Sequence, residues 1–145
     1  MIAALRKVLY DTSVYIDALR RRDASTLLAR GAEGEVLWLS AVVLEELYAG
    51  ADERITKLLG RFEHDFERAR RLLVPQQSDW TGSGRLLARI GAKYGFELIG
   101  RSRLTNDALV ATSASRLDVT VLTINPRDFA RVAEFLPNFS WEVVP

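Results

Sequence analysis

Asp11 closes the apolar run at 7–10, in Val8-Leu9-Tyr10-Asp11-Thr12-Ser13. A carboxylate placed directly after a short strand stands at the strand's carboxyl end, where open α/β sheets bind their ligands, and Asp is equally a preferred helix N-cap. Two further acids sit in Ser40-Ala41-Val42-Val43-Leu44-Glu45-Glu46-Leu47-Tyr48-Ala49-Gly50. Glu46 shares a helical face with Val42 and Gly50, and Glu45 lies beside Val42 and Ala49, so one carboxylate interrupts an otherwise apolar surface and periodicity does not choose which. Asp107 opens the stretch Thr105-Asn106-Asp107-Ala108-Leu109-Val110-Ala111-Thr112-Ser113-Ala114. Its small residues let a helix pack close to a sheet, while an acid near a helix start also gains roughly 0.3–1 kcal/mol from the helix dipole. Leu122-Thr123-Ile124-Asn125-Pro126-Arg127-Asp128-Phe129 places Thr123 and Asn125 after another apolar run. Asp128 there either joins the site or charges the first turn of the last helix.

Acids gathered on one sheet edge repel one another unless a cation neutralises them. The chain has no cysteine and one histidine, His64, which excludes disulfides, zinc–thiolate sites, cysteine nucleophiles and any site needing two histidines. Only oxygen donors remain, and these suit Mg²⁺ or Mn²⁺; Mg²⁺ is usually held by one or two carboxylates, with water and substrate phosphate completing the shell. The matching chemistry is in-line attack of an activated water on a phosphodiester.

Such an edge requires a parallel sheet. Short apolar runs at 7–10, 36–39, 72–74 and 119–122, with a possible fifth at 141–144, do not alternate cleanly, as expected of strands buried on both faces. Helical patterns fill the intervals at 13–21, 24–32, 41–50, 54–71, 79–94, 105–116 and 127–135. The strongest is 54–71, where Ile55, Leu58, Leu59, Phe62, Phe66 and Ala69 form one stripe for core or partner packing. Ser40 is placed to cap a helix, Gly50 and Gly95 to end one, and Pro126 to occupy a first turn. This alternation, without a repeat or a linker, predicts one domain over 1–145: an α/β fold, a three-layer α/β/α sandwich around a central parallel sheet of four to five strands.

The 48% hydrophobic and 27% charged content is that of an ordinary globular protein. No apolar run approaches the roughly 18 residues of a membrane span. The first residues lack the pattern of an export signal, so the cytoplasm is the expected compartment. A net charge of +1 argues against binding nucleic acid by bulk charge, yet 17 Arg against 3 Lys favours the residue whose geometry fits phosphate.

The segments 9–16, 39–51, 106–112 and 121–129 quoted above, in this order and spacing, resemble those of a PIN domain, more narrowly of VapC-type toxins of bacterial toxin–antitoxin pairs. The resemblance implies metal ligands at Asp11, at the glutamate preceding Leu47, which is Glu46, and at Asp107. Where the family often carries a fourth acid this chain has Asn125, which can ligate through its carbonyl but adds no charge, with Asp128 as possible compensation. It further implies an Mg²⁺- or Mn²⁺-dependent ribonuclease acting on structured RNA such as tRNA or rRNA, a homodimer, and a small antitoxin covering the site, with 54–71 as a candidate contact. Arg20, Arg21, Arg22, Arg101, Arg103 and Arg127 are candidates for RNA phosphates.

Rival readings lack their motifs. A haloacid dehalogenase-type enzyme wants a second acid at position 13, which is Ser, and a dinucleotide-binding fold wants a Gly-rich turn where the chain reads Asp11-Thr12-Ser13-Val14. Two alternatives stay within the same scaffold: a PIN nuclease of RNA processing, and a PIN-like binder of RNA or a partner without turnover.

Overall fold

The computed structural model describes residues 4–21, 34–100 and 102–144; the expected helix at 24–32 lies outside them. Five strands form one parallel sheet: β1 (Arg6–Tyr10), β2 (Glu35–Ser40), β3 (Leu72–Leu73), β4 (Thr120–Thr123) and β5 (Trp141–Val143). Six helices are described, α1 (Thr12–Arg20), α2 (Ala41–Ala49), α3 (Glu53–Arg68), α4 (Gln77–Tyr94), α5 (Ser102–Arg116) and α6 (Pro126–Glu134), with a short 3₁₀ turn at Phe96–Leu98. The expected α/β sandwich with up to five parallel strands is the architecture found.

Both faces of the sheet are buried, which is why its strands read as continuous apolar runs. Val8, Leu37 and Leu122 form one small cluster, while Leu9 and Val121 belong to the larger core with Phe129 and Val132 of α6. The α3 stripe is absorbed by that core: Leu59 and Phe62 are buried, and Ile55, Leu58 and Phe66 pack against it. Ala69 at the end of the stripe is exposed, and the outward face of α3 is mostly charged. No helix among the described residues is long and apolar enough to cross a membrane.

Helix starts follow the capping signals. The Ser40 hydroxyl accepts from the Val42 and Val43 amides, and Pro126 opens α6. Helix α4 begins two residues before the expected start because Gln76 and Asp79 form a capping box. Helix α3 stops at Arg68 rather than 71: Arg70 is left-handed (φ 57°), and the Arg71 and Arg70 amides donate to the Phe66 and Glu67 carbonyls. Asp118 (φ 57°) ends α5 the same way. The third strand is shorter than 72–74 because Val74 is exposed and leaves the sheet.

Asp79 has a second task. Buried to 4% exposure, it accepts the Arg116 Nε–H, shared between its two oxygens at 3.1 and 3.0 Å, clamping the start of α4 to the end of α5. Removing the guanidinium strands a buried carboxylate. Arg116→Ala should therefore lower stability by about 2–4 kcal/mol, read as a lower urea midpoint at unchanged slope; an unchanged midpoint would show that water replaces the clamp.

Candidate functional site

The strand order is β3-β2-β1-β4-β5. The chain leaves β1 toward β2 on one side, while β4 lies on the other, so the connections diverge between β1 and β4. Ligands of open α/β sheets bind in the crevice at that divergence, outside the carboxyl ends. Tyr10 pairs with Leu122, and the Asp11 amide continues the ladder to the Leu122 carbonyl at 3.0 Å. The next residues along the two strands, Asp11 and Thr123, therefore flank the crevice.

Asp11 is both things its position suggested. It is the N-cap of α1, its Oδ1 accepting from the Val14 amide at 3.4 Å. It is also 6% exposed and surrounded by hydroxyls: Ser13 Oγ donates to Oδ1 at 2.5 Å and Thr123 Oγ1 to Oδ2 at 2.8 Å. Thr123 is held by the Asn125 amide at 2.9 Å, and Ser13 by the Ile124 amide at 3.3 Å. Desolvation by burial pushes the Asp11 carboxyl above its ordinary value, opposed by the hydroxyls of Ser13 and Thr123 and by the backbone amides of Val14 and Ser13. Among the described residues no lysine or arginine pairs with it.

The two glutamates separate. Glu45 is exposed; Glu46 is half-buried and accepts from Thr12 Oγ1 at 2.8 Å, which ties α2 to the residue after Asp11. Asp107 is half-buried in the second turn of α5, a helix that packs on α2. Asn125 stands exposed at the carboxyl end of β4 and does not cap α6 through its side chain. Asp128 lies in the first turn of α6, 3.9 Å from Arg131, so it charges the helix start.

The structure thus links Asp11 to Glu46 through the neighbouring Thr12 and sets Asp107 on a helix that packs against α2. Among the described residues no three carboxylate or imidazole side chains are gathered closely enough to chelate one ion as they stand. A hard divalent cation nevertheless fits the donors present. A buried carboxylate ringed by hydroxyls and lacking a cationic partner is costly until positive charge arrives, and one or two carboxylates suffice for Mg²⁺ when water and phosphate fill the remaining positions.

Of the arginine candidates, Arg127 lies in the first turn of α6, exposed on the same edge as Asp11. Arg20 and Arg21 are at the far end of α1, roughly 14–15 Å along the helix from Asp11, and Arg21 pairs with Asp17 at 3.2 Å. Arg22, Arg101 and the Arg103 side chain lie outside the described residues. Thr12 and Ser13 are the residues that sequence reasoning missed as parts of the site. Their signal was present, two hydroxyls directly after a strand-terminal Asp, but such residues ordinarily serve helix starts.

The PIN domain family profile matches residues 8–135. No curated protein matches the sequence significantly. Among solved structures, VapBC-1 from nontypeable Haemophilus influenzae is similar over 94% of this chain and 97% of its own (TM-score 0.63, 17% identity). DNA-bound VapBC from Salmonella typhimurium is similar over 96% and 98% (0.62, 20%). VapBC2 from Rickettsia felis, bound to a DNA fragment from its promoter, is similar over 96% and 99% (0.64, 20%).

Proposed function

This chain belongs to the PIN domain family, and from that premise we propose that it is an Mg²⁺- or Mn²⁺-dependent ribonuclease, the toxin of a toxin–antitoxin pair. The observation that carries the reading is the buried, hydroxyl-ringed Asp11 at the divergence of β1 and β4, with Glu46 tied to the next residue.

In this reading Asp11 and Glu46 hold the cation, with Asp107 contributing from α5 and Asn125 at the open fourth corner. When bound, the cation supplies Lewis-acid polarisation of a phosphodiester and offsets the charge that builds there. Ser13 and Thr123 fix the Asp11 carboxylate by two hydrogen bonds and so hold its oxygens in one orientation. Arg127, exposed on the same edge, is placed to take a phosphate oxygen of the RNA. The RNA is a structured one such as tRNA or rRNA, and the chain acts in the cytoplasm as a homodimer. The likeness to VapBC assemblies supports a small antitoxin as partner.

Purified chain incubated with total RNA should cut it in the presence of Mg²⁺ or Mn²⁺ and stop when the cation is chelated, by at least about a hundredfold in rate. Cleavage ends mapped by sequencing identify the RNA. Cutting that persists in chelator, or that survives both Asp11→Asn and Asp107→Asn, overturns the assignment; RNA binding without cutting points to a non-catalytic scaffold instead.

A further inference from the structure

Three consecutive residues after β1 divide the work of two distant elements. Asp11 caps α1, and Ser13 bonds back to Asp11, but Thr12 does neither: its hydroxyl crosses to Glu46, 34 residues away on α2. Hydroxyls at helix starts commonly bond to local backbone, so a bond spent on a carboxylate of another helix calls for a reason. Glu46 is half-buried, and its helix carries the apolar residues Val42, Val43, Leu44 and Leu47 into the core. The long Glu side chain has several rotatable bonds, so a partner is needed to specify where its carboxylate rests. The Thr12 hydroxyl does, at 2.8 Å, and it does so from the residue covalently joined to Asp11.

We infer that Thr12 is a positioning residue: it holds the Glu46 carboxylate toward Asp11 before the divalent cation arrives, so that the two acids meet the ion as a pair. This rests on the reading of Glu46 as a cation ligand. Thr12 does not touch the ion; its contribution is that Glu46 loses no rotamer freedom on binding, as with other residues that orient metal ligands from behind.

The test is Mn²⁺ affinity of the full chain without RNA, followed by electron paramagnetic resonance, with thermal melting as a check on folding. Thr12→Val should bind Mn²⁺ about 10–100-fold more weakly, Thr12→Ser should restore the affinity, and Thr12→Val added to Glu46→Ala should cost nothing further. Thr12→Ala replaces the valine variant if that one melts early. Undiminished affinity in Thr12→Val beside a weakened Glu46→Ala overturns the positioning role and leaves the nuclease reading intact. A further loss when Thr12→Val is added to Glu46→Ala also overturns it, since Thr12 would then act by another route. Full affinity in Glu46→Ala removes Glu46 from the ligand set, and Thr12 falls with it.

Discussion

Asp11→Asn should melt at a higher temperature than the parent chain in the absence of divalent cations, while cutting RNA about a thousandfold more slowly. The two effects have one cause. Asp11 is 6% exposed, with hydroxyls but no cation among its described partners. Folding thus carries a carboxylate into a place that disfavours its charge, and the folded-state pKa is raised by desolvation above the ordinary 3.8. A group of this kind is bound more tightly to its proton in the folded chain than in the unfolded one. The contribution of this one group to stability is therefore most favourable below pH 3.8, falls as pH rises through the raised folded value, and carries the whole penalty at neutral pH. An amide has no charge to desolvate. It also fits the partners: a carbonyl oxygen toward Val14 and Ser13, and an NH₂ toward Thr123, whose hydroxyl can accept and turn its own proton to the Asn125 carbonyl 3.4 Å away.

The advantage of Asp11→Asn over the parent should vanish near pH 3.8 and grow toward neutrality, each kcal/mol raising the melting temperature by about 2–4 °C in a domain of this size. Adding Mn²⁺ should reverse the order, because an ion that binds only the parent stabilises only the parent. Loss of several kcal/mol of transition-state stabilisation accounts for the thousandfold fall in rate. A variant that melts lower than the parent at pH 7 in chelator would show that Asp11 is a structural cap and little else. The general point is a trade of stability for function at one buried group.

What was legible in the sequence were features with a local cause. Apolar runs such as Val119-Thr120-Val121-Leu122 mark strands because both sheet faces are covered, and residues just after them, Asp11 and Thr123, fall on the carboxyl edge by connectivity alone. Ser40 and Pro126 mark helix starts because their chemistry acts within one turn. Other features were not legible. Arg70 and Asp118, both exposed, end their helices in a left-handed conformation that Gly usually takes, closed by local backbone hydrogen bonds with no glycine to mark the position. Arg20 and Arg21 looked available for phosphate, yet α1 runs away from the crevice and carries them off. Glu45 and Glu46 were equivalent by periodicity, since the bond that separates them comes from Thr12, on another helix.

That bond also sets the expected contrast between the two glutamates. Glu46→Gln should lower the rate of RNA cleavage about a hundredfold, and Glu45→Gln should leave it within about twofold, because Glu45 is exposed on α2 and a lone surface substitution of this kind changes little. Gln at position 46 keeps an oxygen that can accept from Thr12, so its helix should pack as before and the melting temperature should hardly move. The loss then reports the missing charge rather than a displaced helix. Raising the Mn²⁺ concentration should recover part of the rate in Glu46→Gln, as expected where an affinity has been weakened while Asp11 stays in place, and none in Asp11→Asn, where the centre of the donor set is gone. Equal losses from Glu45→Gln and Glu46→Gln would mean that neither carboxylate meets the ion and that the acidic face of α2 acts through its field alone. A loss confined to Glu45→Gln would place the donor set on the exposed side of α2, away from β1, and so detach it from the crevice that the strand order defines.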